Sequence, residues 1–113
     1  MTKLVKTINK FNGNLCFSVH TEDGFAIFEC IRSTRTFTKA IPSKSISGMC
    51  LNDADSYLVV FSDNWIGRFS NGVLDEEFID TGLGSLDQIL KTTQGVYYVL
   101  DKTAGTITRL RIE

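Results

Sequence analysis

The sequence has little of what would tie a protein to a membrane, a metal ion or a nucleic acid. Its 113 residues include three cysteines, one histidine, one proline and one tryptophan. Twelve Lys and Arg nearly balance thirteen Asp and Glu, which leaves a formal net charge of -1 and disfavours a basic nucleic-acid binder. With 42% hydrophobic residues and ample aromatics, the chain is expected to fold as an ordinary globular domain.

Long hydrophobic runs are also missing. Lys3 and Lys6 interrupt the apolar residues at the amino terminus, so we expect neither a signal peptide nor a membrane span. Cys16, Cys30 and Cys50 are odd in number and form no C-x-x-C pair, which favours a reduced, cytoplasmic setting. No close Cys or His accompanies the single histidine, so no metal site and no cofactor are expected.

The apolar segments are short and end in turn residues, which is typical of β-strands. We expect strands at residues 15–19, 25–28, 49–51, 57–61, 66–69, 89–90, 96–100 and 106–112. Residues 57–61 and 96–100 are continuously apolar, as in strands covered on both faces. Capping-box spacing at 85–88 and an acidic run at 75–77 each allow one helical turn at most. The sequence therefore predicts an all-β chain.

The strand pattern recurs three times along the chain. Cys16, Cys50 and Ile89 occupy matching positions, 34 and 39 residues apart, and each is followed by a polar turn and a second strand. A third strand brings an arginine into matching positions at Arg35, Arg68 and Arg109. Such self-similarity predicts three repeat units, at about residues 9–41, 42–80 and 81–113.

Residues 3–8 form an additional strand before the first of these units. Their spacing from the next strand matches that of the fourth strand in the first two units, whereas the third unit ends after three strands. Four-stranded units whose missing strand comes from the other end of the chain are typical of β-propeller blades. We therefore interpret residues 3–8 as a ring-closing strand.

One segment carries a family resemblance. Residues 66–84 contain an arginine on a strand (Arg68), a glycine turn (Gly72), a Leu74-Asp75 pair and Phe78, and this order resembles the bacterial delta-type propeller repeat. The other units keep the strand spacing but lack the Leu-Asp-x-x-Phe pattern. The resemblance implies a propeller and no particular active site, because propellers serve many functions.

Three blades cannot close a ring, since propellers have about four to eight. A symmetric homodimer would give six blades, with residues 3–8 of one subunit beside residues 109–112 of the other. This pairing would cover two otherwise exposed strand edges. The alternative is a self-contained β-sandwich or small barrel in which the repeat spacing arises by chance.

Catalytic motifs are scarce. The sequence contains no G-x-S-x-G, H-E-x-x-H or P-loop, so no catalytic residue is assigned. His20 together with channel aspartates would be needed for a hydrolase or lyase, but a surface histidine is the simpler interpretation. Arg35, Arg68 and Arg109 could bind anions, although pairing with acids inside each blade is favoured.

Binding is therefore predicted to depend on loops. One face is expected to gather residues 9–14, 29–34, 42–46, 63–65, 81–85 and 101–105. Trp65 follows Asp63 and Asn64 in a polar turn, where an aromatic ring can stack on a sugar or anchor a protein. Phe11 and Lys102 join these candidate binding residues. The sequence predicts a non-enzymatic binding or scaffold module with itself and a protein as partners, or alternatively a carbohydrate-binding propeller.

Overall fold

The computed structural model describes residues 2–10 and 12–111, which form eleven strands in three antiparallel sheets. The first sheet contains β1 (Lys3–Asn9), β2 (Leu15–Thr21), β3 (Gly24–Ile31) and β4 (Thr36–Ala40). The second contains β5 (Ile46–Leu51), β6 (Tyr57–Phe61), β7 (Trp65–Ser70) and β8 (Val73–Asp80). The third contains β9 (Gln88–Lys91), β10 (Tyr97–Asp101) and β11 (Thr106–Leu110). Because no helix occurs in the described residues, the all-β prediction is confirmed.

Tight turns connect neighbouring strands, so each sheet is a local meander. Asn71 and Gly72 join β7 to β8 with φ of 49° and 80°, as a type I′ hairpin turn requires. Between β2 and β3, Thr21 Oγ1 accepts the backbone N–H of Asp23 at 3.2 Å, and Gly24 has φ of 126°. These turns lie at the polar and glycine-rich segments that ended the predicted strands.

The second sheet lies between the other two and holds most of the core. All five residues of β6 are buried, because its two faces pack on different sheets. The core shared with the first sheet contains Cys16, Ile27, Ile46, Met49, Tyr57, Val59, Phe61 and Phe69. The core shared with the third sheet contains Leu58, Val60, Ile66, Leu86, Ile89, Tyr97 and Val99. Full burial of each large apolar side chain contributes about 1.5–3 kcal/mol.

The three sheets approach one another along their first strands. β5 contacts both β1 and β9, and at the opposite edge β4 contacts β8. The sheets are thus stacked face to face with their first strands side by side. The described strands of one chain form three open sheets and close neither a barrel nor a ring.

The position of β1 differs from the prediction that residues 3–8 continue a preceding unit. β1 pairs with β2 from Lys3–His20 to Asn9–Leu15 and is the first strand of its own sheet. A tight connection causes this pairing, since the Lys10 N–H donates to the Asn14 carbonyl at 2.8 Å. While these bonds hold, β1 is not available as the fourth strand of the third sheet.

The first repeat unit therefore gains β1 at its start, whereas β5–β8 and β9–β11 fall within the predicted units at residues 42–80 and 81–113. β1 corresponds to β5, because the same irregularity interrupts both strands: between Leu4 and Lys6, and between Ile46 and Gly48. Cys16 consequently lies in a second strand and Cys50 in a first strand, so their predicted equivalence is wrong. The units are β1–β4, β5–β8 and β9–β11, and only the third lacks a fourth strand among the described residues.

Candidate functional site

The predicted Trp65 cluster lies where β7 begins. The Asp63 carboxylate accepts the Trp65 backbone N–H and the Lys44 ammonium, each at 2.9 Å. Burial alone would raise the pKa of Asp63, but these two hydrogen bonds outweigh it and lower the pKa below its ordinary value. Asn64 donates to the Asp80 carboxylate at 2.6 Å, and Trp65 itself stays half-buried. The turn is thus held rigidly beneath a partly exposed indole.

A cleft of about 490 Å³ opens beside this tryptophan. Its other walls are Lys44, Asp63 and residues 74–77 of β8. Glu76 accepts both the backbone N–H and the hydroxyl of Ser43, at 2.9 and 2.8 Å. Most of the charged groups in the cleft therefore tie the β4–β5 connection to the second sheet, and the indole is the main apolar surface that a ligand could reach.

Lys102 lies at the same end of the stack as Trp65. Its backbone N–H donates to Asp87 at 2.6 Å, and the neighbouring Leu86 N–H donates to the Asp63 carbonyl at 3.1 Å. The Lys102 side chain is exposed. We call this the link end, because it carries the connections between sheets. The structure thus brings together four of the five predicted binding residues; the fifth, Phe11, lies outside the described residues.

The prediction that all these connections share one face is wrong for two of them. Connections 9–14 and 29–34 do not lie at the link end. Strands β1 and β2 meet at the opposite end of the stack, which we call the hairpin end, as do β3 and β4. There the Asn14 side chain accepts the Arg32 N–H at 3.0 Å. The error follows from treating the hairpin between β1 and β2 as a connection between units.

Two of the three arginines predicted to be equivalent do occupy matching positions. Arg68 opposes Leu58 across β6–β7, and Arg109 opposes Tyr98 across β10–β11. Arg35 is different, because it lies in the β3–β4 turn with φ of 55°. A ring of three equivalent arginines per chain is therefore not formed.

The other polar candidates make structural contacts. His20 is exposed and stacks on Phe25, with ring centroids 4.3 Å apart. Burial raises the pKa of Cys16 to about 12 and that of Cys50 to about 11, so both thiols stay protonated at neutral pH. Cys30 is exposed on the first sheet.

Sequence reasoning missed a buried ionic cluster between the first and second sheets. Lys10 Nζ lies 3.0 Å from Glu29 Oε2, and both side chains are almost fully buried. The Tyr57 hydroxyl donates to the same carboxylate at 2.6 Å, and the Lys10 ammonium lies 4.7 Å from the centre of the Tyr57 ring. Burial, followed by the bond to Glu29, raises the pKa of Tyr57. The sequence offered one indication of this cluster, which is the position of Glu29 within the apolar run of β3.

It also missed a pocket of about 500 Å³ where the first strands of all three sheets meet. β1 contributes Lys6 and Ile8, β5 contributes residues 49–53, and β9 with the following turn contributes residues 89–93. The residues come from three units of the sequence, so no local motif could reveal them. This inner pocket is separate from the Trp65 cleft.

Both end sheets leave an apolar face uncovered by any other described sheet. The outer face of the first sheet comprises Leu15, Phe17, Val19, Phe28 and Phe37. The outer face of the third sheet includes Leu90, Tyr98, Leu100 and Ile107, and Arg109 lies opposite Tyr98 on the same face. Exposure is largest for Phe37 (64%), Leu90 (61%) and Ile107 (73%). On the first of these faces Phe17 stacks on Phe28, with ring centroids 5.3 Å apart.

Residues 2–10 and 12–111 contain no group of three or more His, Cys, Asp or Glu side chains placed to hold a metal ion. The same part of the chain has no helix with the length and apolar character needed to cross a membrane. No family model, curated protein or solved structure matches the sequence.

Proposed function

We propose that the chain is a non-enzymatic scaffold module that dimerises into a six-bladed β-propeller and presents its loops to a protein partner. The observation that carries the proposal is the pair of apolar outer faces, one on the first sheet and one on the third. Soluble monomers rarely expose large contiguous apolar patches, and such patches commonly mark interfaces. Here two of them occur on one small chain.

The arrangement of the sheets supports ring closure. The second sheet shows how a sheet in this chain is covered on both faces, with first strands adjacent. Placing the outer face of the third sheet on the outer face of a second copy's first sheet repeats that packing. A two-fold axis then forms the same contact a second time and leaves no face open.

The expected size of the interface is sufficient. A four-stranded face with five-residue strands measures about 19 by 17 Å. Two such contacts, each burying a face on both subunits, would cover on the order of 1,200 Å², which reaches the range of specific interfaces. In this dimer the third sheet keeps three strands, and strand exchange by β1 is not required.

Loops are the natural surface for a further partner. At the link end, the Trp65 turn and the connections around Lys44 and Leu86 are fixed to the sheets by the hydrogen bonds described above. A dimer would present each of these twice around one ring. Rigid, repeated loops suit the binding of a protein, because little ordering entropy is lost on association.

Light scattering of the purified chain, with substitutions on the two outer faces, tests the dimer. We expect a mass of about twice 12.6 kDa for the wild type. Phe37→Lys or Ile107→Lys should return the mass to that of a monomer, because either lysine would be buried at the contact. Val73→Lys is the matched control, since Val73 is 70% exposed on β8 and outside both faces.

Cys30 gives a second measurement, because it opposes Leu15 and Phe37 on the first sheet. Labelling with a maleimide should be slow in the wild type and fast in Ile107→Lys, whose substitution lies on the other contact face. A monomeric wild type with rapid Cys30 labelling would overturn the proposal. A mass that grows with concentration beyond two chains would also overturn it, because it indicates open head-to-tail assembly.

The half-exposed Trp65 beside an acidic cleft supports carbohydrate binding as a second candidate. Aromatic rings stack on sugars, and Asp75 and Glu77 offer acceptors at the cleft wall. A glycan array with Trp65→Ala as control tests it: specific wild-type signals lost in the variant would support the candidate. An array without wild-type signal would eliminate it.

A further inference from the structure

The inner pocket combines an apolar wall with two ammonium groups. Apolar side chains of all three sheets line it, including Ile8 from β1, Met49 and Leu51 from β5, and Ile89 from β9. Lys6 enters from the first sheet and Lys91 from the third. Ligand pockets typically measure 300–1,000 Å³ and pair apolar walls with a few convergent polar groups. At about 500 Å³, the inner pocket fits that description.

Lys6 and Lys91 line the same pocket from the two sheets that flank β5. Both act electrostatically on the Cys50 thiol, which lies between them on β5. Lys91 is positioned by a hydrogen bond from its ammonium to the Asn52 carbonyl, and it lies 5.5 Å from the centre of the Tyr97 ring. Asn52 in turn accepts the Tyr97 hydroxyl at 2.5 Å. These bonds hold Lys91 in place without neutralising its charge.

No carboxylate neutralises this pair within the described part of the chain. The ion pairs found there involve Lys10 and Lys44, not Lys6 or Lys91. Asp53 also lines the pocket, but its carboxylate accepts the Asp55 N–H at 2.9 Å and the Ser56 hydroxyl at 2.8 Å. The ionic groups lining the pocket thus carry a net charge of about +1 at neutral pH.

We infer that the inner pocket binds a small carboxylate carried on an apolar body. The carboxylate would accept hydrogen bonds from Lys6 and Lys91, and the body would cover the apolar wall formed by Ile8, Met49 and Ile89. Charge-assisted hydrogen bonds of this kind are stronger than neutral ones. Because one chain builds the whole pocket, the inference does not depend on the proposed dimer.

Isothermal titration calorimetry with naphthalene-2-carboxylate tests the inference. The neutral naphthalene-2-carboxamide serves as the uncharged comparison. We expect the carboxylate to bind at least about tenfold more tightly than the amide, since charged hydrogen bonds exceed neutral ones by roughly that factor. Lys6→Met and Lys91→Met should each weaken carboxylate binding by a similar factor, whereas Lys6→Arg should retain most of it.

Lys102→Met is the matched control, because Lys102 is exposed at the link end and does not line the inner pocket. Equal affinity for the amide and the carboxylate would overturn the inference. Affinity unchanged by both Lys6→Met and Lys91→Met would overturn it as well, because the ligand would then sit elsewhere. The mass of the same samples distinguishes failure of this inference from failure of the dimer proposal. A monomer that binds the carboxylate would overturn only the dimer, and a dimer that does not bind it would overturn only the pocket inference.

Discussion

The second and third sheets use the same pattern of residues in different surroundings. Tyr57 and Tyr97 occupy matching positions, as do Val59 and Val99, and all four are buried. The alternate residues differ: Leu58 is fully buried in the second sheet, whereas its counterpart Tyr98 is half-buried in the third. The outer face of the third sheet is thus largely apolar although no other described sheet of this chain packs on it. That pattern is expected of a surface that becomes covered in an assembly.

The largest expected effect is the difference in stability lost when a leucine is replaced by alanine in the second sheet and in the third. Leu58→Ala should destabilise the chain by about 2–5 kcal/mol, because it opens a cavity in a fully packed core. Leu90→Ala should cost less than about 0.5 kcal/mol in the monomer, since Leu90 is 61% exposed. Urea unfolding at low protein concentration measures both. If the two costs are equal, the difference in burial between the sheets is refuted.

The same experiment sharpens the comparison at high protein concentration. In the proposed dimer Leu90 becomes covered, so the cost of Leu90→Ala should rise with concentration while that of Leu58→Ala stays constant.

A smaller effect is expected from the matching tyrosines. Tyr57→Phe removes a hydrogen bond to the buried Glu29 carboxylate and should cost about 1.5–3 kcal/mol. Tyr97→Phe removes a hydrogen bond to the neutral Asn52 amide and should cost about 0.5–1.5 kcal/mol. Urea midpoints of the two variants decide the order. A larger loss for Tyr97→Phe would show that the ionic cluster contributes less than its burial suggests.

The smallest effect concerns pH and the link end. The pKa of Asp63 is lowered from 3.8 in the folded chain, so its ionised form stabilises the fold above that value. This contribution is lost as the pH falls through the lower, folded pKa. Asp63→Asn should therefore reduce the free energy of unfolding near about pH 7 and have a smaller effect at an acidic pH below the folded pKa. Denaturation at the two pH values measures the difference, and an equal loss at both would exclude an electrostatic origin.

Much of the strand content was predictable because alternation and turn residues are local signals. Residues 57–61 read as a strand covered on both faces, and β6 is buried throughout. The placement of β1 was not predictable, because the spacing before β2 resembles the spacing between sheets. The irregularity between Leu4 and Lys6 that reveals the true correspondence is a property of pairing, and the sequence does not show it.

The candidate sites divide in the same way. Trp65, Asn64 and Asp63 are adjacent in sequence, so their cluster could be predicted from one turn. Lys10 and Glu29 meet only after β1, β2 and β3 have paired. Lys6 and Lys91 come to line one pocket only through the stacking of three sheets. Sites assembled across such distances leave no local pattern to recognise.

The open edge of β11 has a consequence for how copies of this chain meet. An unpaired strand is a template on which another strand can add, and natural proteins protect such edges with charge. Arg109 is exposed in β11, where the third sheet ends among the described residues. Two copies that approached edge to edge would bring like charges together. A positive charge on this last strand would therefore disfavour fibrillar growth through the β11 edge.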